Sequence, residues 1–361
     1  MASPPIGAIV RTKVTAAALI GYFPVAAHFE LFNILADFDK LVTGEDVLAA
    51  WKERVRGTDH AVPKDTLFAM GGLGLLDVPD DNTYIVNDAT RFLATVPSAL
   101  HGGINFSTEV LLSAALLMPK LKATDFEYPF RATETAHQYA YEMMGNEKYA
   151  KEHSYGIMAA EGRLDSFNTF MTGKFVQGPK IPARLQGLGY DLAAVLAEAG
   201  PATSTKIVDI GGGRGELLLD IKEAFPELKK EDLIVQEFND SIGDLDGVTV
   251  VSWDYRENSP QPVQGALIYH LSHILHNLPD LDAVKLLQKI AVAMAPHSRV
   301  LVHELTKNMN SAFLHAAMME TMGGRERNEA DWRQIAAIAD LTVSSAACPE
   351  FGVGVIELRK M

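Results

Sequence analysis

One glycine-rich segment, VDIGGGRGE at positions 208–216, combines residue types that suit the binding of a charged ligand. Glycine lets the backbone turn tightly and approach a ligand without interference from a Cβ atom. Glu216 stands where the dinucleotide fingerprint G-x-G-x-x-G has its third glycine, and Asp209 precedes the glycines. Two carboxylates would repel a pyrophosphate but attract a sulfonium and an ammonium group. We therefore expect S-adenosylmethionine (SAM) to bind at Asp209 and at Gly211, Gly213 and Gly215.

Acidic residues also follow the next two apolar segments. Glu237 comes directly after the predicted strand Leu233–Gln236, where a carboxylate can accept hydrogen bonds from ribose hydroxyls. Asp254, beside Trp253, follows a pair of valines, where the next loop would meet the adenine. Glycines alone also form ordinary tight turns. Together with Glu237, Trp253 and Asp254 in this order, they predict a SAM site.

The elements that must position these residues alternate between strand and helix after Thr203. Strands are predicted at Ile207–Ile210, Leu233–Gln236, Ala266–Tyr269 and Val300–Val302, and helices at Leu217–Phe225 and Ala283–Met294. Interleaved strands and helices predict a parallel, doubly wound sheet, so that residues 201–361 form an α/β, Rossmann-like catalytic domain. The chain ends in a segment, Val353–Leu358, that predicts a last, antiparallel edge strand.

The N-terminal residues 1–104 show the order helix, helix, helix, hairpin. Helical spacing of apolar residues predicts a helix at Ala26–Phe38, and Thr43 with Asp46 resembles a capping box before a second helix. A third helix is predicted at Lys64–Met70, and a hairpin follows, with its turn at Pro79–Asn82. This order is typical of a winged helix. The hairpin region is acidic where a DNA-binding wing would be basic, so dimerisation or a substrate lid is the favoured role; the acidic residues are Asp77, Asp80, Asp81 and Asp88.

The apolar stretch Ala16–Phe38 offers more hydrophobic surface than one small unit can bury, which predicts a homodimer. Residues 105–200 are rich in methionine and aromatic residues, and we predict that they form a set of helices. Core packing is the ordinary explanation for any one of these side chains. Together they could wall an apolar cleft, so we interpret this region as connecting and substrate-binding.

Composition excludes several classes of function. The 361 residues carry a formal net charge of −14, which disfavours nucleic acid as a partner. The sequence has a single cysteine, no secretory signal and no apolar run long enough to span a membrane, and we expect a cytoplasmic protein. His273 and His276 have no third ligand at a diagnostic spacing, so no metal site is expected. Neither a G-x-S-x-G elbow nor a P-loop is present.

Three motifs in one order give the chain a family resemblance: VDIGGGRG, then ILHNLPD at 274–280, then GGRERNE at 323–329. It resembles the plant and fungal SAM-dependent O-methyltransferases of the caffeic acid O-methyltransferase type, most strongly over 208–361. The resemblance implies a winged-helix-like dimerisation domain joined to a Rossmann-like methyltransferase domain. It also implies that His276 is the catalytic base and that Glu304 and Glu326 are the carboxylates that flank it. A histidine is suited to this role because its ordinary pKa is about 6.5.

Some positions depart from the family pattern. Asn277 stands where the family usually has aspartate, and Ser272 and His273 stand where a basic pair is frequent. The segment Met318–Glu320 lacks the usual aspartate of that helix. These departures bear on substrate recognition more than on methyl transfer.

The sequence therefore predicts methyl transfer from SAM to a hydroxyl of a small aromatic or polyketide-like secondary metabolite, with His276 as general base. A second hypothesis is a SAM-binding pericyclase or cyclase that uses the same fold without methyl transfer. A third is a winged-helix regulator that senses SAM, against which the acidic hairpin argues. The sequence does not identify the acceptor.

Overall fold

The computed structural model describes residues 6–54, 65–128, 130–176, 179–200, 203, 205–238 and 243–361, without the side chains of 7–12 and 174–176. These residues form two compact units that alternate along the chain. The first comprises Met1–Ala115 and Met158–Gly173, and the second comprises Leu116–Ile157 and Lys174–Met361. The predicted division into 1–104, 105–200 and 201–361 was drawn by the expected role of each region, not by compactness. It stays a prediction.

Helices make up most of the chain before residue 200. They are α1 (Ile6–Ile20), α2 (Tyr22–His28), α3 (Leu31–Ala36), α4 (Gly44–Arg54), α5 (Asp65–Gly72), α6 (Asp88–Thr95), α7 (Pro97–Asn105), α8 (Leu111–Ala123), α9 (Ala136–Met143), α10 (Ser154–Ala160), α11 (Leu164–Val176), α12 (Ile181–Gly187) and α13 (Leu192–Ala197). One turn of π-helix, Phe106–Val110, separates α7 from α8. In the part of the chain that is described, no helix combines the length and apolar character needed to cross a membrane.

The first unit contains a small antiparallel sheet in the order β1-β3-β2, formed by β1 (Val42–Thr43), β2 (Leu76–Asp80) and β3 (Thr83–Val86). The predicted hairpin is confirmed. The predicted capping box before α4 is also confirmed, because Thr43 N–H donates to Asp46 Oδ2 (2.8 Å) and Asp46 N–H donates to Thr43 Oγ1 (3.2 Å). The third predicted helix corresponds to α5, and Lys64 lies outside the described residues.

The prediction of one helix over Ala26–Phe38 is wrong. Two helices, α2 and α3, occupy this stretch, and Glu30 separates them with a left-handed φ of 53°. A residue in that region cannot continue a right-handed helix. Both helices still bury apolar side chains in one core, which explains why the hydrophobic spacing resembled a single helix; its buried members include Phe23, Leu31, Phe32, Leu35, Trp51 and Met70.

The second unit is built on a seven-stranded sheet in the order β6-β5-β4-β7-β8-β10-β9. Its strands are β4 (Ile207–Ile210), β5 (Leu233–Glu237), β6 (Thr249–Ser252), β7 (Ile268–Ser272), β8 (Arg299–Leu305), β9 (Leu341–Ala347) and β10 (Val353–Lys360). The five strands from β6 to β8 are parallel, and β10 and β9 are antiparallel. The predicted parallel sheet is confirmed.

The prediction that Val353–Leu358 forms the edge strand is wrong. This strand, β10, is antiparallel as predicted, but it lies between β8 and β9, so β9 is the edge. The sequence of β9 (LTVSSAA) has few large apolar residues and only two of its seven residues are buried, so apolar patterning did not reveal it. The interior position of β10 agrees with its nearly complete burial.

Helices cover both faces of this sheet. The helices α12, α13 and α14 (Glu216–Ala224) pack on one face, while α15 (Asp280–Ala293) and α17 (Glu329–Ile338) pack on the other. A further helix, α16 (Ala312–Met322), follows β8. Strands buried on both faces have almost continuous apolar sequences, as β4 and β5 do. Because the five parallel strands end at the same edge, the loops that follow them meet there.

Candidate active site

The glycine-rich loop leaves β4 and leads into α14. Gly211, Gly213 and Gly215 have φ values of +66°, +60° and +78°, a region that only glycine adopts easily. Among the described residues, the heavy atom closest to a Cβ atom on Gly213 would be a Glu216 carboxylate oxygen at 3.9 Å. The backbone at Gly213 therefore has room beside it for the close approach of a ligand.

Glu237, at the end of β5, is bound to this loop. Its Oε2 accepts the N–H of Gly213 (3.1 Å), and its Oε1 accepts the N–H of Phe238 (3.0 Å). Burial raises the pKa of the Glu237 carboxyl. The structure thus brings Glu237 to the glycine loop, as the sequence predicted from two separate segments.

Trp253 and Asp254 follow β6, next to β5. Trp253 is buried and its backbone N–H donates to Glu237 O (2.8 Å), which joins the two loops. Asp254 makes hydrogen bonds of 2.7 to 3.2 Å with the Arg256 guanidinium. Partial burial acts to raise the pKa of Asp254, but the bonds from Arg256 outweigh it and hold that pKa below its usual value. Sequence reasoning missed Arg256, which lies two residues after Asp254.

Asp209 has a partner that sequence reasoning also missed. Its Oδ1 lies 2.7 Å from Nδ1 of His270, and both side chains are almost fully buried. The two residues are opposite each other on the parallel strands β4 and β7. The signal in the sequence was a histidine directly after the predicted strand Ala266–Tyr269, which the structure includes in β7.

His276 lies in a short 3-10 turn, Leu275–Asn277, that follows β7. Its Nδ1 is 2.8 Å from Oε1 of Glu326, and both side chains are buried. An ionised carboxylate can only accept, so Nδ1 carries the proton in the neutral imidazole. The other ring nitrogen, Nε2, then has a lone pair with which to take a proton.

Glu304 approaches the same turn in a different way. Its Oε1 accepts three consecutive backbone N–H groups, those of Ile274, Leu275 and His276, at 3.0, 2.6 and 3.2 Å. Burial raises the pKa of the Glu304 carboxyl, and a positive charge on His276 would lower it. All three predicted residues meet here, but Glu304 holds the backbone of the turn whereas Glu326 holds the ring.

The GGRERNE segment encloses the turn from the other side. Arg327 is fully buried and donates to the carbonyl oxygens of Leu275 (2.6 Å) and Leu278 (2.9 Å) and to Asp280 Oδ1 (2.8 Å). At Gly324, an added Cβ would lie 2.1 Å from His276 O. The sequence had assigned these residues to a motif without a role.

Asn277, a departure from the family pattern, is also engaged. Its Nδ2 donates to His273 O (3.0 Å) and to Tyr155 Oη (3.1 Å). Aspartate could not donate to the His273 carbonyl, so asparagine suits this turn. Among the described residues, no group of three or more side chains of the metal-binding types converges on a common point.

Comparisons with known proteins identify the family. Residues 184–341 match the family model of an O-methyltransferase domain. The chain is 48% identical to the O-methyltransferase bfoE of Aspergillus brasiliensis over 99% of this chain and 97% of that protein. The chain belongs to the O-methyltransferase family. It is a SAM-dependent O-methyltransferase, with SAM as its cofactor.

Two solved structures share the fold of this O-methyltransferase. OxaC in complex with SAH and oxaline has a TM-score of 0.81 at 20% identity and covers 99% of this chain and 88% of its own. An enzyme described as a pericyclic reaction enzyme has a TM-score of 0.79 at 20% identity, and the match covers 99% of this chain and 90% of that enzyme. At this identity the likeness shows the fold alone, which is that of SAM methyltransferases.

The residues at the carboxyl edge of the sheet fit SAM. The backbone at Gly213 is open on the side where a ligand can approach, and the carboxylates of Asp209 and Glu237 lie beside the loop. Negative groups suit a ligand that carries a sulfonium and an ammonium group.

The close approach at Gly324 generates a first prediction. Gly324→Ala should lower the free energy of unfolding by about 1–3 kcal/mol, the usual cost of overpacking, because the new methyl group would collide with backbone atoms of the His276 turn. Methyl-transfer turnover should fall as well. Urea denaturation and a turnover assay measure the two effects.

Gly187→Ala is the matched control, because no heavy atom of the described residues lies within 4 Å of a Cβ atom there. It should change the unfolding free energy by no more than about 0.5 kcal/mol. Equal behaviour of the two variants would show that the contact at Gly324 does not matter.

Proposed function

We propose that this enzyme transfers a methyl group from SAM to a hydroxyl of a small aromatic or polyketide-like secondary metabolite, with His276 as general base. The observation that carries the proposal is the 2.8 Å pair between His276 Nδ1 and Glu326 Oε1. A hydroxyl is a poor nucleophile until its proton is removed, and a histidine held in one tautomer can remove it.

The chain's own residues orient this base. Glu326 fixes the ring of His276 through Nδ1, and Nε2 is the nitrogen that would accept the proton of the acceptor hydroxyl. Glu304 and Arg327 hold the backbone of the same turn. Glu304 accepts from its N–H groups, and Arg327 donates to its carbonyl oxygens. When it is bound, SAM supplies an activated methyl group on a sulfonium. After proton transfer, the imidazolium is paired with the buried Glu326.

The cofactor would be held by Asp209, Gly211, Gly213, Gly215, Glu237, Trp253 and Asp254. We assign the glycine loop and Asp209 to the amino-acid part of SAM, Glu237 to the ribose hydroxyls, and Trp253 and Asp254 to the adenine side. The order of these loops along the sheet edge supports the assignment, because β4, β5 and β6 are adjacent and parallel. The pericyclase alternative shares the fold but gives no reason for the His276–Glu326 pair.

Glu237 provides a test of the cofactor site. Glu237→Ala should weaken the binding of S-adenosylhomocysteine (SAH) by about 1–3 kcal/mol, because charge-assisted hydrogen bonds to the ribose are lost. Glu237→Gln is the matched control. It retains an oxygen that can accept from Gly213, so its affinity for SAH should fall less than that of the alanine variant. Isothermal titration calorimetry measures both. An unchanged affinity in the alanine variant would move the ribose site elsewhere.

His276 provides the test of the reaction. His276→Ala should retain SAH affinity while turnover falls by roughly 100-fold to 10,000-fold, the usual contribution of a positioned base. Turnover is measured by mass spectrometry as the gain of one methyl group and the formation of SAH, with a panel of naphthols and hydroxyanthraquinones.

His297→Ala is a suitable control, because His297 precedes β8 and lies at the opposite edge of the sheet from the loops of the site. It should turn over normally. If His276→Ala, Glu304→Ala and Glu326→Ala all turn over normally, a reaction that needs no base becomes the better description.

We also propose that the N-terminal region is a winged-helix-like dimerisation domain and that the enzyme is a homodimer. Exposed apolar side chains of the first unit support this, among them Val14, Phe68 and Phe92. Light scattering at micromolar concentration should give twice the monomer mass, and a monomer mass would contradict the proposal. A cytoplasmic location stays a prediction.

A further inference from the structure

His270 lies outside every motif described above, yet it contacts a residue of the proposed cofactor site. It is 2% exposed, in the middle of β7, and its Nδ1 lies 2.7 Å from Oδ1 of Asp209, which is 1% exposed. A polar group at this depth is costly unless it is hydrogen-bonded. The pair joins two neighbouring strands directly opposite each other, so it is held by the register of the sheet.

We infer that His270 is a positioning residue of the cofactor site, which holds the Asp209 carboxylate beneath the glycine loop so that its charge acts on the cationic amino-acid part of SAM. This inference rests on the proposed role of Asp209 in cofactor binding.

The direction of the hydrogen bond follows from the donors and acceptors. A carboxylate can only accept, so Nδ1 donates to Asp209. The other nitrogen, Nε2, is buried and has no hydrogen-bond partner among the described residues. The His303 ring lies nearby, with the centroids 6.0 Å apart. A proton on Nε2 would place a second donor there without an acceptor, which costs free energy. An imidazole with its one proton on Nδ1 would satisfy Asp209 and leave the carboxylate charge in place.

The second oxygen of Asp209 faces the loop. A Cβ atom on Gly212 would lie 2.5 Å from Asp209 Oδ2, so the loop backbone passes directly over the carboxylate. Beyond it, Glu237 holds the N–H of Gly213. Asp209 and Glu237 are close enough that the charge of Asp209 contributes to the raised pKa of Glu237, after the larger effect of burial. The loop is thus bordered by two carboxylates, and His270 fixes the position of one of them.

Three substitutions separate the hydrogen bond from simple packing. His270→Leu fills the space but has no donor. His270→Asn places its amide nitrogen where Nδ1 stands and can still donate to Asp209. His270→Gln has the same amide chemistry on a longer side chain, with the nitrogen nearer to the position of Nε2.

The experiment compares two ligands by calorimetry, SAH and 5′-methylthioadenosine, which lacks the amino-acid part. His270→Leu should weaken SAH about 10-fold or more, the scale of one hydrogen bond to a charged group, and 5′-methylthioadenosine less than about 2-fold. His270→Asn should restore SAH affinity to within about 3-fold of the wild type, and His270→Gln should not. In steady-state assays of His270→Leu, the KM for SAM should rise by a larger factor than kcat falls.

Equal weakening of both ligands, or equal affinities of the asparagine and glutamine variants for SAH, would overturn the inference. If His270→Leu does not fold, the comparison of asparagine with glutamine still decides. Asp209→Asn separates this failure from a failure of the proposed function. Unchanged SAH affinity in Asp209→Asn would remove Asp209 from the cofactor site. If Asp209→Asn weakens SAH more than 5′-methylthioadenosine and His270→Leu does not, the role of His270 alone is refuted.

Discussion

A single carboxylate oxygen, Oε1 of Glu304, accepts the N–H groups of Ile274, Leu275 and His276, and the candidate active site depends on this arrangement. Three consecutive N–H groups can converge on one point only if the backbone turns sharply there. The turn carries His276 out of β7 and aims its ring at Glu326. Arg327 stabilises the same turn by donating to its carbonyl oxygens. Gly324 has no side chain, so its backbone can pack directly against the backbone of the turn.

The strand β8 serves both halves of the site because successive residues of a strand point to opposite faces. Glu304 faces the His276 turn, whereas the His303 ring lies near His270, which binds Asp209 under the glycine loop. A shift of one residue in the register of β8 would exchange these side chains and disrupt both the base and the cofactor loop.

Sequence reasoning found the site residues that a pattern of neighbouring residues marks. It missed those that are defined only by a contact with a distant part of the chain. The glycine loop and the acidic residue after β5 could be predicted because strand, turn and charge are adjacent in the chain. The actual partner of Glu304 is backbone about thirty residues away, and no side-chain pattern encodes it. The break at Glu30 and the edge strand β9 were missed for a related reason: one left-handed residue and a weakly apolar strand leave the hydrophobic spacing almost unchanged.

Several buried charges meet around His276, and their balance bears on the proposed reaction. Burial raises the pKa of Glu304 and the charge of Glu326 raises it further, while positive charges on His276 and Arg327 lower it. Two carboxylates in a buried site are costly unless positive charge compensates them. Arg327 supplies one such charge permanently. A proton taken up by His276 as the acceptor hydroxyl ionises would supply another. The imidazolium that forms in the proposed reaction would therefore lie beside two carboxylates, Glu326 at its ring and Glu304 at the backbone of its turn.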